Sequence, residues 1–381
     1  MIILFIILVF LLFYTFSGYF LFLKVVSFFK SNPVIKGEYI PTATLLIPVY
    51  NGEKQIKDKL ENCLSLSYPK NKLEIMVISD CSTDKTEEIV SSFKDKGVKL
   101  FRLEKRSGET KALNSALREV QSELVFFTDA STLLNKDSLM KIAKNFADTE
   151  VGCVSGEDRS ISTLQEKGES GEGVYVGMEM KLRRLESIIC NLTGVSGCLY
   201  AIRRELVNQI PNDLIDDFYL PLQVVKQGKR VISEPEGIAY VTGVSNFKEE
   251  FRRRRRTALG GLEVFFSELS LLNPFKYGFF SLELLSHKLL RWLTPFMLLL
   301  LFFCNLFLLQ HFIFKLTLLI ELFSIFIALL YLLFLVNKKL TGLLSLMESD
   351  FYFYLVNLAI LLAWVKFILG KREIIWEPSK R

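Results

Sequence analysis

The chain has 381 residues, Lys+Arg 47 against Asp+Glu 41, a net charge of +6, and half of its residues are apolar. A mean hydropathy of +0.32 is high for a soluble domain of this size, so part of the chain belongs in lipid. Gly 21, Pro 10 and 33 Phe describe a chain that packs, which excludes disordered, collagen-like and nucleic-acid-tail classes. The mild positive charge suits an anionic membrane surface or a phosphorylated substrate better than DNA, so no nucleic-acid partner is expected. The two histidines are His287 and His311, which excludes a Ser/His/Asp triad or a His-rich metal site from the first 286 residues. The six cysteines form no C-x-x-C pair and read as reduced thiols of a cytosolic domain.

In chain order, residues 1–23 carry no charge and are long enough to cross ~30 Å of hydrocarbon. Lys24, Lys30 and Lys36 follow, so this anchor directs its C-terminal end to the cytosol. A cytosolic domain is expected over 24–273. The pattern predicts strands at 44–49, 73–79, 98–103 and 124–128, alternating with helices at 53–66, 83–93 and 110–120. Such alternation implies an α/β fold with a mostly parallel sheet covered by helices. Ligands then bind beyond the carboxyl ends of the strands. Residues 274–291 mix Phe, Leu and Tyr with Lys276, Glu283, Lys288 and Arg291, the pattern of an interfacial amphipathic helix. About three membrane helices are expected over 292–370, from apolar runs at 292–314, 316–336 and 351–365, followed by a basic tail over 371–381. Three C-terminal crossings would put that tail outside, against the positive-inside tendency. Either the last run is not a full crossing or the rule fails here; the sequence leaves both open.

The strand ends carry the chemistry. Ile47-Pro48-Val49-Tyr50-Asn51-Gly52 ends the first, Ser79-Asp80-Cys81-Ser82-Thr83-Asp84 the second and Thr128-Asp129-Ala130-Ser131 the fourth. Acids and hydroxyls there converge on one cleft. Asp80 is placed to accept hydrogen bonds from a nucleobase, and Ser82 to Asp84 can cap the next helix.

With the motifs that follow, these segments resemble the membrane-bound family 2 glycosyltransferases, the group of processive polysaccharide synthases acting on cellulose, chitin, hyaluronan and poly-N-acetylglucosamine. The resemblance runs from about Thr44 to Gly261 and implies a GT-A fold. The I-P-V-Y-N opening puts Pro48, Tyr50 and Asn51 with Asp80 on the donor nucleotide. Asp129 matches the first acid of the D-x-D metal motif, with Ser131 where a second acid is usual. Ser196-Gly197-Cys198 and then Arg203-Arg204 resemble the acceptor-pocket strand and its arginines. Asp216-Asp217 match the end of the T-E-D segment, whose last acid is the general base, here Asp217. Arg253 to Thr257 aligns with Q-x-x-R-W, so Arg256 matches the family arginine, Arg253 replaces the glutamine and Thr257 replaces the tryptophan that stacks on the acceptor sugar. Glu109 stands where a lysine is usual. Lys111 then takes over its diphosphate contact or faces solvent, and both remain open.

The implied activity is inverting transfer of a sugar from a nucleotide-sugar, a UDP-sugar in most such enzymes, to a glycan or lipid-linked acceptor. The enzyme would lie in the cell membrane as a multi-pass protein with a cytosolic catalytic domain, in contact with membrane lipids. With no His in the domain, the metal ligands are Asp129, Ser131, diphosphate oxygens and water, which suits Mg²⁺ or Mn²⁺. Single addition is the alternative to polymer synthesis, because Thr257 offers no indole face. A membrane scaffold or transporter with a degenerate nucleotide-sugar domain is the competing class. The sequence names no sugar, linkage or oligomeric state.

Overall fold

The computed structural model describes residues 1–160, 171–242, 247–337 and 344–373. After helix α1 (Ile2–Phe29) comes a parallel α/β half. Its strands are β1 (Ala43–Val49), β2 (Leu73–Ser79), β3 (Val98–Arg102) and β4 (Leu124–Phe127), in spatial order 3-2-1-4. The crossovers are α2 (Ile56–Leu64), α3 (Thr86–Ser91) and α4 (Glu109–Leu117), each within a few residues of the span the periodicity predicts. β1 and β2 are central apolar runs because helices cover both faces of the sheet. Pro48 is tolerated near the end of β1 because the last β1–β4 pair is Leu46–Phe127, so its missing N–H takes no bond from that ladder.

The second half is not a continuation of that pattern. β5 (Leu133–Leu134), α5 (Ser138–Ala143), β6 (Val151–Ser160), α6 (Gly171–Ile189), β7 (Tyr200–Arg203), α7 (Asp216–Lys226) and β8 (Arg230–Val241) complete an eight-stranded sheet of order β3-β2-β1-β4-β7-β6-β8-β5. β7 inserts antiparallel between β4 and β6, while β6 and β8 pair in parallel. One apolar core lies on each side of the sheet. Leu46, Ile78, Leu113, Phe127 and Phe218 contribute to one, and Leu45, Ile47, Leu60, Phe126 and Ile142 to the other.

α8 (Phe247–Ser267) carries the arginine run. The predicted interfacial helix over 274–291 does not form as one element. Residues Pro274–Tyr277 make a four-residue helix, α9, which ends at Gly278 with φ 56. The chain then runs through position 291 in one continuous helix, α10 (Phe279–Phe307), where a boundary was expected. α11 (Phe312–Asn337) and α12 (Leu344–Ile368) follow. Residues 2–29, 279–307, 312–333 and 350–368 are long and apolar enough to cross a membrane, and the chain is a membrane protein. α1 packs on α10 through Leu8 against Met297, Leu301 and Cys304.

α12 has a second neighbour. Its Ile360 and Ala363 pack on Ala258, Leu259 and Leu262 of α8. Tyr352 donates to Glu250 at one end of this contact, and Glu373 takes Arg255 while Arg372 pairs with Asp213 at the other. Residues near both ends of α12 therefore touch α8 or the segment before α7. The expected basic tail is described only as far as residue 373, and residues from 374 onward lie outside the described residues.

Candidate active site

Three loops at the carboxyl ends of β1, β2 and β4 are locked by short polar contacts. Asn51, at φ 51, accepts the Thr83 N–H at 2.8 Å, and its own N–H reaches Ser82 Oγ at 3.1 Å. Asp84 takes the Thr86 N–H and the Glu53 N–H, so it caps α3 and ties the first loop to the second. These bonds hold its carboxyl below the usual range despite burial. Tyr50 lies under the Arg106 guanidinium, 3.8 Å from the ring centroid.

Asp80 accepts the backbone N–H of Ser107 at 2.7 Å and of Gly108 at 2.8 Å. Gly108 reaches it at φ 89, a conformation that suits glycine, and α4 starts at the next residue. Each Asp80 oxygen keeps a second lone pair. α4 then reaches the other side of the site: Thr110 donates to Leu214 O, and Asn114 exchanges bonds with Ile210. The segment leading to Asp216-Asp217 is thus fixed to the helix that starts at Asp80.

On that helix, positions 109 and 111 point to nearly opposite sides. Glu109, not Lys111, faces the acids. Burial drives its carboxyl well up, and Asp216 and Asp129 push it further, against the pull of Arg256. Lys111 is exposed.

Asp216 and Asp217 are the first two residues of α7. Tyr200, stacked on Phe127 at 4.5 Å, donates its hydroxyl to Asp216. Asp216 is itself raised by burial. Asp217 is pushed up to about 7, first by burial, then by Asp216 and Asp129; Lys288 and Arg183 oppose the shift. A Cβ on Gly197 would come within 3.0 Å of Asp217 Oδ2, so the small residue leaves that oxygen room. Cys198 Sγ lies 3.9 Å from Asp129 Oδ2. Gly197 and Cys198 therefore bridge the base candidate and the metal candidate.

Arg203 and Arg204 do not join them. Arg203 donates to Val151 O, Phe146 O and Asp148 O, and Arg204 to Val120 O and Leu117 O. They satisfy chain ends at the far end of β7, as cations do at helix C-termini. In the arginine run, Arg253 and Arg254 both grip Glu250, whose carboxyl falls to about 2 although burial opposes it. Arg256 is the member in electrostatic reach of Glu109. Thr257 is exposed. Trp292 packs edge-on against Phe218 at 6.0 Å and against Gly261, so it belongs to the core and offers no open platform.

Sequence reasoning missed Lys59. It is fully buried, and its Nζ donates to Thr128 Oγ1 at 2.8 Å and Thr132 O at 2.6 Å, straddling the Asp129–Ser131 loop from below. Burial lowers its pKa while nearby groups including Asp129 pull it back up. Asn62, one turn on, exchanges bonds with Leu134. The available signal was periodicity: Ile56, Lys59, Leu60 and Cys63 share one face of α2.

Among the described residues no group of three or more His, Cys, Asp or Glu is arranged to hold a metal. The protein offers one carboxylate, Asp129, with the Ser131 hydroxyl two residues on. This all-oxygen set fits a hard divalent ion completed by diphosphate oxygens, and the upward push of Asp129 on both Glu109 and Asp217 marks a site short of positive charge.

The mostly parallel sheet, with acids and backbone donors at its strand ends and membrane helices joined to it, frames one polar cleft. Residues 44–210 match Glycosyl transferase family 2. The poly-beta-1,6-N-acetyl-D-glucosamine synthase of Staphylococcus aureus is 26% identical over 255 residues, which is 65% of this chain and 61% of the relative. The enzyme of the same description from Staphylococcus epidermidis is 25% identical over 256 residues. The match thus spans about three fifths of these relatives' length. The mannosyltransferase PcManGT from Pyrobaculum calidifontis, solved with GDP-Man and Mn2+, superposes with a TM-score of 0.70 at 23% identity over 97% of this chain and 99% of that one. The whole architecture, membrane helices included, therefore has a solved counterpart in fold.

Proposed function

We propose that the protein moves a hexosyl or N-acetylhexosaminyl group from a nucleotide-sugar to a glycan or lipid-linked acceptor at the membrane, with inversion, in polysaccharide synthesis. The observation that carries this reading is the grouping of Asp217, at about 7, with Asp129, Asp216, Glu109 and Arg256 around Gly197-Cys198. A carboxylate near 7 is suited to take a proton at neutral pH. One base opposite the leaving group gives inversion. Asp80 and the stacked Tyr50–Arg106 pair lie on the donor side, and Arg256 offsets the charge of the acids. Mg²⁺ or Mn²⁺ at Asp129 and Ser131 would supply Lewis-acid neutralisation of the diphosphate.

For the membrane arrangement we favour three crossings, α1, α10 and α11, with the catalytic half in the cytosol. α12 then lies along α8, which explains how residues near both of its ends meet α8 or the segment before α7. It also returns the basic tail to the side the positive-inside tendency requires. Single addition remains the second reading, because Thr257 is exposed and Trp292 is packed away. The test is incubation of membranes with labelled UDP- and GDP-sugars, reading product size. No transfer from any nucleotide-sugar would overturn the proposal; short products would select the second reading.

A further inference from the structure

Helix α10 has 29 residues. At ~1.5 Å per residue that is about 44 Å, against ~30 Å of hydrocarbon, so its first third stands clear of the bilayer. Four ionisable side chains mark this overhang, and three of them are partnered. Glu283 faces the Asn191 N–H at 3.4 Å. His287 meets Glu186 at 2.7 Å and Glu179 at 2.8 Å, and Arg291 donates to Glu179 at 2.6 Å. The fourth, Lys288, is different. Its ammonium is half-buried beside the Phe218 ring, 5.3 Å from the centroid; no described carboxylate or carbonyl accepts a hydrogen bond from it, and Glu179 and Glu186 act on it only through space, opposed by Arg183 and Arg291. A half-buried cation without a hydrogen-bonded counter-charge is costly, and a bound anion removes that cost.

The position of this ammonium decides what the anion can be. Phe218 follows Asp217 directly. A Cβ on Gly194 would sit 3.5 Å from Lys288 Nζ and 3.3 Å from Phe218, so the glycine keeps the space beside the ammonium open. Arg183, buried, anchors this wall through Ser155 Oγ and Gly194 O, and both cations act on Asp217. The donor residues Tyr50 and Asp80 end other strands. Lys288 instead arrives on a membrane helix, on the side of the base. An anion there belongs to the acceptor and enters from the bilayer.

Resting on the transferase reading above, we propose that Lys288, backed by Arg183, is an acceptor-side anion subsite and that the acceptor is a lipid bearing a phosphate. One phosphate oxygen, on the Asp217 side, forms a bond to the anomeric carbon of the donor sugar; the bond from that carbon to the nucleoside diphosphate breaks, the nucleoside diphosphate leaves with the electron pair, and the proton of the phosphate monoanion passes to Asp217, while Lys288 holds the other phosphate oxygens.

The test uses the full chain in nanodiscs of neutral lipid, titrated calorimetrically with farnesyl phosphate, farnesol and inorganic phosphate. Farnesyl phosphate should bind saturably, farnesol should not, and inorganic phosphate should bind at least a hundredfold more weakly. Lys288→Met should weaken farnesyl phosphate at least tenfold with UDP affinity unchanged, and Lys288→Arg should restore it. Equal binding of farnesol, or an unaffected Lys288→Met, overturns the subsite. Inorganic phosphate binding as tightly as farnesyl phosphate overturns the lipid assignment. In turnover, Lys288→Met should raise the acceptor KM at least tenfold and leave the donor KM alone. Transfer to a neutral glycan with the same KM in both proteins sinks this inference and leaves the transferase standing. Farnesyl phosphate bound without transfer from any nucleotide-sugar sinks the transferase and leaves the subsite.

Discussion

Replacing Asp216 by Asn should move the acidic limb of the pH–rate profile while leaving the base in place. Asp217 is raised from 3.8 to about 7, a rise of roughly three units. Burial is the first cause and survives the substitution; the Asp216 charge is the second and does not. The limb should therefore fall by roughly one unit, with the remainder held by burial and Asp129. In the wild type the two neighbouring acids titrate as a pair, so the limb belongs to both; in Asp216→Asn it becomes the curve of one group. Asp217→Asn keeps the shape, removes the proton acceptor, and should lower turnover roughly 10²–10⁴-fold at every pH.

The same shift has a sign for stability. A carboxyl raised in the folded state opposes folding once ionised; the penalty begins as pH rises through 3.8 and is complete above about 7. Asp217→Asn should then melt higher than the wild type at pH 8, by at most about 4 kcal/mol, and match it near pH 3. The assays are kcat/KM against pH for three proteins and thermal melts at two pH values. An acidic limb that does not move in Asp216→Asn refutes the electrostatic argument, and an active Asp217→Asn removes the base.

Asp129→Ala should abolish turnover at any Mg²⁺ or Mn²⁺ concentration and weaken Mn²⁺ binding in the presence of UDP, read by electron paramagnetic resonance; unchanged Mn²⁺ binding places the ion elsewhere. Lys59→Met should lower kcat at least tenfold while shifting Tm by only a few degrees, because losing a buried charge offsets the acceptors left bare at Thr128 and Thr132; a large drop in Tm with normal kcat shows a purely structural lysine. Gly197→Ala should reduce turnover by crowding Asp217 Oδ2 at 3.0 Å, with donor affinity retained; an undiminished kcat counts against that oxygen as the reacting one. Thr257→Trp should lengthen products if stacking limits the chain, and product length unchanged in the variant dismisses the stacking argument.

What the sequence shows clearly is whatever a strand end enforces. Asn51, Asp80 and Asp129 are polar residues closing apolar runs, and that pattern has one meaning in a parallel sheet. Glu109 was harder, because a charged residue opening a helix reads equally as a cap; only the fold reveals that it faces Asp129 and Asp216. Arg203-Arg204 misled for the opposite reason. Two arginines near an acceptor motif suggest a site, yet β7 runs antiparallel and carries them to its other end. Lys59 was invisible, since a helix lysine is ordinarily solvated. The run at 351–365 is long and apolar enough to cross a membrane and also packs on another helix, so apolar length alone does not distinguish lipid from a helix face. Ala258, Leu259 and Leu262 supply that face.

These placements bear on one another through charge. The loop after β4 has one acid, with serine at the second position, and a lysine is buried beneath it. The helix after Gly108 brings a glutamate into the site where a lysine is usual. The serine and the buried lysine leave the loop more positive, and Glu109 makes the centre of the cleft more negative. Lys59 is fixed by two hydrogen bonds and excluded from water, so its field acts on Asp129 with little screening. Burial, then Asp216 and Asp129, drive the Glu109 carboxyl well up from its usual range, against the pull of Arg256. Glu109→Lys and Lys59→Thr each change the charge that Asp129 faces. Their effects should be non-additive, because both act on Asp129, and a double-mutant cycle in kcat/KM measures that coupling. Simple additivity would mean that the two charges do not meet at the metal loop.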